Sequence, residues 1–221
     1  ISQLPFPNPL PKGQLLQVEL SLTSGTEISA QLFDLQGRPV QEEQNKGYFP
    51  TGKDVNARGL SRFHLTKALD ASLKRLNVDY VDVYYIHHFD EEVPLEESMS
   101  VLNDFVRQGK VLYLGLSNFA AWQIMKAIAI CERSNYAPIS CLQPMYSLLK
   151  RQCESEILPM AISEGLGVFS YSPLGGGYLT GKYLNQSGSG RFDTSKMYQE
   201  RYEAESNLHT VKAFTDFAKE N

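Results

Sequence analysis

The chain has 221 residues, of which 42% are hydrophobic and 21% charged, and its formal net charge is −4. That is the composition of a globular protein with one large domain or two small ones. The acidic balance and the lack of any Lys/Arg block argue against a nucleic-acid partner. No apolar run approaches the length of a membrane span, which argues against a membrane partner.

The chain begins with Ile1, which points to processing or to a piece of a longer protein. The start ISQLPFPNPLPKG has no basic region followed by an apolar core, so it does not read as a signal peptide. Val18, Leu20 and Leu22 then alternate with polar residues, and Ile28, Ala30 and Leu32 do so again beyond Ser24-Gly25. This period-2 pattern around a turn predicts a β-hairpin, with a second turn over Asp34–Arg38. Residues 41–60, QEEQNKGYFPTGKDVNARGL, are polar and rich in turn formers and predict a loop.

Ser61 is placed to cap a helix whose inner face is Leu65, Leu69, Ser72 and Leu76. The run Tyr80–His87 predicts a buried strand that ends in His87, His88 and Asp90. Pro94 opens a helix that carries Leu95, Met99, Leu102 and Val106 and stops at Gly109. A second apolar run, Val111–Leu116, ends in Ser117-Asn118, either of which can cap the helix carrying Ala121, Ile124, Met125, Ile128 and Cys131. A third run, Ile139–Leu142, ends in Gln143-Pro144. A helix over residues 154–164 and a fourth run, Leu166–Tyr171, follow, then Ser172-Pro173 and a glycine-rich loop. The last predicted helix spans Ser195–Lys219.

Four strands near 80, 111, 139 and 166, each followed by polar or small residues and separated by a helix, predict an α/β fold with a parallel sheet. Buried parallel strands that deliver titratable groups at their C-terminal ends place the site at that edge. The expected domains are a β-rich segment, residues 1–44, and an α/β segment, residues 45–221. Cys131, Cys141 and Cys153 are spaced by ten and twelve residues, neither a zinc pattern nor an even disulfide framework, and fit a reducing compartment. No metal site is expected.

The stretches NARGLSR, LDASLKRLNVDYVDVYYIHHFD, GKVLYLGLSNF, LQPMYSLL and FSYSPLGGGYLTGKY, in this order over residues 56–183, resemble the aldo-keto reductases. Within that family the pattern resembles the subgroup that includes the potassium-channel β-subunits and related bacterial oxidoreductases. The resemblance implies a (β/α)8 barrel, here a partial one of four clear βα units preceded by the β-hairpin. It further implies NADP(H) as cofactor, hydride transfer to a small carbonyl substrate, and a cytoplasmic setting; a homo-oligomer is compatible with it. His87 matches the histidine that orients and polarises the carbonyl, and Lys46 the active-site lysine. Ser117, Asn118 and Gln143 match the groups that hydrogen-bond the nicotinamide carboxamide. Tyr171 matches the aromatic that stacks on the ring, and Ser172, Leu174 and Gly175 the loop near the pyrophosphate.

Plainer readings stand beside these. Ser117 and Asn118 can serve only as a helix cap, Tyr171 as a core aromatic, and His88 and Asp90 as groups solvating a strand end. Gly176, Gly181 and Lys182 have the G-x4-G-K spacing of a triphosphate-binding loop, but Tyr183 stands where the magnesium-binding Ser/Thr is required.

The family's proton-donating tyrosine lies in a DTAxxYG-type stretch that begins with an aspartate; residues 1–50 hold no such stretch. The C-terminal segment that grips the adenosine phosphate is also unmatched. Impaired catalysis is therefore expected, the alternative being a non-catalytic binding or interaction protein or a truncated fusion product. Residues 1–44 resemble part of the C-terminal secretion-sorting domain of Bacteroidetes secreted proteins, on the PNP start and the LFDLQGRPV stretch. An ordinary two- or three-stranded β-element is the alternative, and with the resemblance secretion stays open.

Overall fold

The computed structural model describes residues 18–23, 27–33, 39–40, 46–48, 56–184, 195–202 and 204–220, the strands before Gly47 by their backbone. The chain divides into two compact units, residues 1–143 with 159–169, and residues 144–158 with 170–221.

The first unit opens with a three-stranded antiparallel sheet: β1 (Val18–Thr23), β2 (Glu27–Phe33) and β3 (Pro39–Val40). Val18 pairs with Leu32, Leu20 with Ala30 and Leu22 with Ile28. The apolar residues of one arm thus stand opposite those of the other, the register that period-2 alternation specifies. The turns expected at Ser24-Gly25 and Asp34–Arg38, and the Pro-rich start, lie outside the described residues.

A second sheet holds five parallel strands in the order β4 (Lys46–Gly47), β5 (Val81–Ile86), β6 (Val111–Ser117), β7 (Ile139–Gln143) and β8 (Gly167–Val168). Between them run α1 (Arg62–Leu76), α2 (Leu95–Arg107), α3 (Ala121–Arg133) and α4 (Ile157–Ser163), most of α4 belonging to this unit. This alternation is the partial (β/α)8 architecture expected from the sequence. Two boundaries differ. The polar stretch 41–60 contains β4, whose Lys46 and Gly47 pair with Tyr85 and Ile86. The fourth apolar run forms only the two-residue β8: the Phe169 N–H still donates to the Leu142 carbonyl at 2.9 Å, and Tyr171 makes an isolated bridge with Met145.

The helices earn their positions through apolar faces. Leu65 and Leu69 of α1, Leu102 of α2, Leu114 and Leu116 of β6, and Ile124 of α3 are all at most 2% exposed. Each such side chain contributes about 1.5–3 kcal/mol on burial. Tyr84 packs edge-on against Phe105 of α2, ring centroids 6.0 Å apart. On the opposite face, β6 has Gly115 where any side chain would strike the Tyr85 ring. Ser61 caps α1 as expected, accepting the His64 N–H at 3.3 Å. Arg62 joins α1 to α2: its N–H donates to Glu97 at 2.8 Å and its guanidinium pairs with Asp104 and Ser100.

The second unit packs around Leu149, Leu179, Tyr202 and Val211, with Leu174, Tyr178 and Phe214 against them. Among the described residues its elements are two 3₁₀ stretches, Gln152–Glu154 and Gly175–Thr180, and the helices α5 (Lys196–Tyr202) and α6 (Glu205–Glu220). The single terminal helix expected from the sequence is therefore two. Asn207 explains the break: its side-chain amide donates to the Tyr202 carbonyl at 3.0 Å, and its own N–H donates to the Ala204 carbonyl at 2.9 Å. The last carbonyl of α5 is satisfied by a side chain rather than by the next turn.

Candidate functional site

The polar groups of the first unit gather at the C-terminal ends of β5, β6 and β7. Parallel pairing aligns these ends, with Ile86 beside Leu116 and Ser117 beside Gln143. A continuous hydrogen-bonded row crosses them. The Asn118 amide donates to the His87 carbonyl at 2.9 Å and to the Ser117 hydroxyl at 3.1 Å. The Ser117 hydroxyl in turn donates to the Gln143 carbonyl at 2.8 Å. Three strand ends are thereby laced together by two side chains.

This row corrects the capping alternative for Ser117 and Asn118. Helix α3 begins at Ala121 with Ala120 as its N-cap residue, and the Ala120 N–H is held by the Gln123 side chain at 2.8 Å. Asn118 has φ 55°, a left-handed conformation that Asn tolerates better than most residues, and this turns its side chain back toward β5. Ser117 is 1% exposed and spends its proton on a neighbouring strand.

Gln143 supplies a telling detail. Its backbone carbonyl is used, but its side-chain oxygen is buried with no hydrogen-bond partner among the described residues. A buried unpaired amide oxygen costs about 1–3 kcal/mol. A primary carboxamide such as that of nicotinamide presents both a donor and an acceptor, and either end of the Gln143 amide can meet it. The residues present therefore fit the nicotinamide end of NADP(H).

His87 follows β5, and its N–H donates to the Gly47 carbonyl at 3.1 Å, continuing the β4–β5 ladder. Lys46 stands one position before that ladder bond, paired with Tyr85 on the strand next to His87. The His88 ring lies between the rings of His87, at 5.3 Å, and Tyr48, at 5.5 Å. Loss of water around the His88 imidazole lowers its pKa below the ordinary value. The neutral ring is then the prevailing form at pH 7.

Asp90 does not simply solvate the strand end. Its carboxylate accepts the Leu60 N–H at 2.8 Å and the Glu92 N–H at 2.9 Å. The neighbouring Gly59 N–H donates to the Tyr48 carbonyl at 2.8 Å. Gly59 has φ 82°, and a Cβ there would sit 2.6 Å from the Asp90 carboxylate, so only glycine serves. Asp90 thus ties the segment after β5 to the entry of α1.

The second unit gathers Tyr171, Ser172, Leu174 and Gly175 in one turn. The Tyr171 N–H donates to the Pro144 carbonyl at 3.0 Å, and the half-buried ring has its phenol pKa raised by burial. Ser172 and Gly175 to Gly177 all have positive φ. The Ser172 carbonyl accepts the Gly175 N–H at 2.9 Å, and the Leu174 carbonyl accepts those of Gly177 and Leu179. Gly175 is buried against Leu149. The Lys182 ammonium lies 3.6 Å from where a side chain on Gly177 would start. A left-handed glycine turn with a cation beside it is suited to phosphate oxygens. Lys182 is a residue the sequence reading passed over, although the G-x4-G-K spacing had drawn attention to it.

Parallel strands that alternate with helices and carry polar groups at their C-terminal ends define an α/β protein of partial-barrel type. The chain matches the Aldo/keto reductase family over residues 43–221, and it belongs to that family. Members of the family depend on NADP(H). The chain is similar to the uncharacterized oxidoreductase YrpG of Bacillus subtilis (strain 168), 39% identical over 77% of this chain and 51% of that protein. It is also similar to a probable voltage-gated potassium channel subunit beta of Oryza sativa subsp. japonica, 42% identical over 60% of this chain and 40% of the relative. A third relative is aflatoxin B1 aldehyde reductase member 4 of Homo sapiens, 36% identical over 59% of this chain and 39% of the relative. The chain spans about half, or less, of the length of these curated relatives. No helix among the described residues is long and apolar enough to cross a membrane.

Proposed function

We propose that this chain is an NADP(H)-binding oxidoreductase of aldo-keto reductase type, interconverting a small carbonyl compound and its alcohol with impaired turnover. The observation that carries the reading is the row from His87 through Asn118 and Ser117 to Gln143, with the unpaired Gln143 side-chain oxygen at its end. In this reading Asn118 and Ser117 fix the strand ends, and Gln143 holds the nicotinamide carboxamide. Tyr171 offers a ring face to the nicotinamide. The loop of Ser172, Leu174 and Gly175 stands near the pyrophosphate, and the Lys182 ammonium receives its oxygens. NADP(H), when bound, supplies the hydride. His87 donates a hydrogen bond to the carbonyl oxygen and so raises the electrophilicity of its carbon. Lys46, on the strand beside His87, contributes positive charge near the developing alkoxide.

Impairment follows from residues 1–50, which carry no DTAxxYG-type stretch. A missing general acid typically costs about 10²–10⁴-fold in rate. The same observation favours a second reading, a binding protein that retains the cofactor and catalyses nothing. The buried free cysteines support a reducing, cytoplasmic setting. Residues 1–44 are taken as a separate β-rich segment ahead of the barrel-like part.

The test is a titration of the full chain with NADPH, followed by cofactor fluorescence. Saturable binding with aldehyde-dependent NADPH oxidation that disappears in His87→Ala supports the oxidoreductase. Binding without oxidation selects the non-catalytic reading, and no binding at millimolar cofactor sinks both.

A further inference from the structure

Two hydrogen bonds hold His87 by its backbone: its carbonyl accepts from the Asn118 amide, and its N–H donates to the Gly47 carbonyl. They fix the main chain. The plane of the imidazole depends on what touches the ring. The His88 ring meets it edge-on, with centroids 5.3 Å apart and planes at 75°. His88 in turn lies 5.5 Å from the Tyr48 ring, tilted by 43°. His88 is exposed to solvent, so these ring neighbours, rather than a surrounding core, are what steady it.

Tyr48 directly follows β4 and has φ 139°, a positive value that a residue with a side chain rarely adopts. Glycine would take it without strain. The strained backbone is held from two sides. The Tyr48 carbonyl accepts the Gly59 N–H at 2.8 Å, and the residue before it, Gly47, accepts the His87 N–H at 3.1 Å. Strain of this kind persists where the surroundings over-determine it, and it gathers at functional sites. What the strained residue delivers here is a ring against His88.

We propose that Tyr48 and His88 are positioning residues for His87: Tyr48, held against its backbone preference, steadies the His88 ring, and His88 sets the plane of the His87 imidazole. The use of this buttress rests on the oxidoreductase reading, because a hydrogen bond to a carbonyl oxygen works only when the ring points at it. The buttress itself stands without cofactor or substrate and is measured there.

The experiment is NMR of the histidine ring protons in the full chain without cofactor, with the His87 signals assigned by their loss in His87→Gln. Tyr48→Ala and Tyr48→Gly both remove the ring, and both shift and broaden the His87 signals. Tyr48→Phe leaves them in place. In a His88→Ala background Tyr48→Gly moves them no further, because the intermediate ring is gone. Thermal unfolding reads the strain separately: Tyr48→Gly melts about 2–4 °C above Tyr48→Ala, since only glycine is at ease at that φ. His87 signals unmoved by Tyr48→Gly overturn the proposal. So does a shift that persists in full in the His88→Ala background, which would bypass His88, and so do equal midpoints for the two Tyr48 variants. If the Tyr48 variants lose the fold, His88 carries the test: His88→Phe keeps the His87 line width and His88→Ala broadens it, and equal widths overturn the proposal. A separate NADPH titration decides the oxidoreductase reading. Failure there removes that reading and leaves the buttress to stand or fall on the spectra.

Discussion

Asn118 and His87 are joined by a 2.9 Å hydrogen bond from the Asn118 amide to the His87 carbonyl, which fixes the position of the histidine through its backbone. Replacing Asn118 with alanine removes this bond and the 3.1 Å bond to Ser117, and places a less tolerant residue at φ 55°. The expected cost is about 2–3 kcal/mol of stability, from two lost hydrogen bonds and left-handed strain. A urea unfolding midpoint checks it. NADPH affinity should fall in parallel, because His87 and Ser117 both lose their anchor.

Gln143 should behave in the opposite way. Its side-chain oxygen has no partner among the described residues, so Gln143→Leu removes an unsatisfied buried group. Stability should hold or rise by up to about 1 kcal/mol. NADPH affinity should drop about tenfold, the scale of a hydrogen-bonded amide lost from a polar site. Stability kept together with affinity lost is the signature of a binding group, and equal affinity in mutant and wild type would exclude Gln143 from the cofactor site.

Asp90→Ala should loosen the link between the Leu60 N–H and the segment that carries His87 and His88. Two charge-assisted bonds to backbone N–H groups are lost, and a destabilisation of about 2–4 kcal/mol is expected. Gly59→Ala should be comparably damaging, because its Cβ would strike the same carboxylate. The His88 ring proton resonances, which sense the Tyr48 and His87 rings, should shift in both variants.

Burial pushes the Cys131 and Cys141 thiols up to about 11 from an ordinary value of 9.0. For a group raised on folding, the contribution is fully present below the unfolded pKa and is lost as pH rises through the folded one. The thermal midpoint should therefore fall between pH 9 and about 11. Cys141→Ala should flatten part of that slope. A slope identical to wild type would show that other groups titrate there.

The alternation of apolar runs and helices was plain because buried parallel strands are continuously apolar and each amphipathic helix shows its 3.6-residue period. Strand β4 was hidden: two residues, Lys46 and Gly47, in a polar stretch carry no periodicity, and only the ladder with β5 marks them as a strand. The inner face of α3 was also partly misread. Met125 is 38% exposed, while Ala127 and Ile130 turn inward. Ala127 lacks the bulk that makes a core position visible in a sequence. Ser117, Asn118 and Gln143 were legible as types of residue. Their joining into one row depends on strand register, which single residues do not announce. The role of Asp90 was illegible for the same reason, since its partner Leu60 is thirty residues away.

Both outermost strands of the five-stranded sheet, β4 and β8, are two residues long, and the three between them have five to seven. Amide exchange should follow that gradient, fast at the rims and slowest near Leu114 to Leu116 in β6. His87, Ser117 and Gln143 are all attached to the three slow strands. The polar row is thus mounted on the last part of the sheet to open, and it should keep its geometry through fluctuations that release either rim.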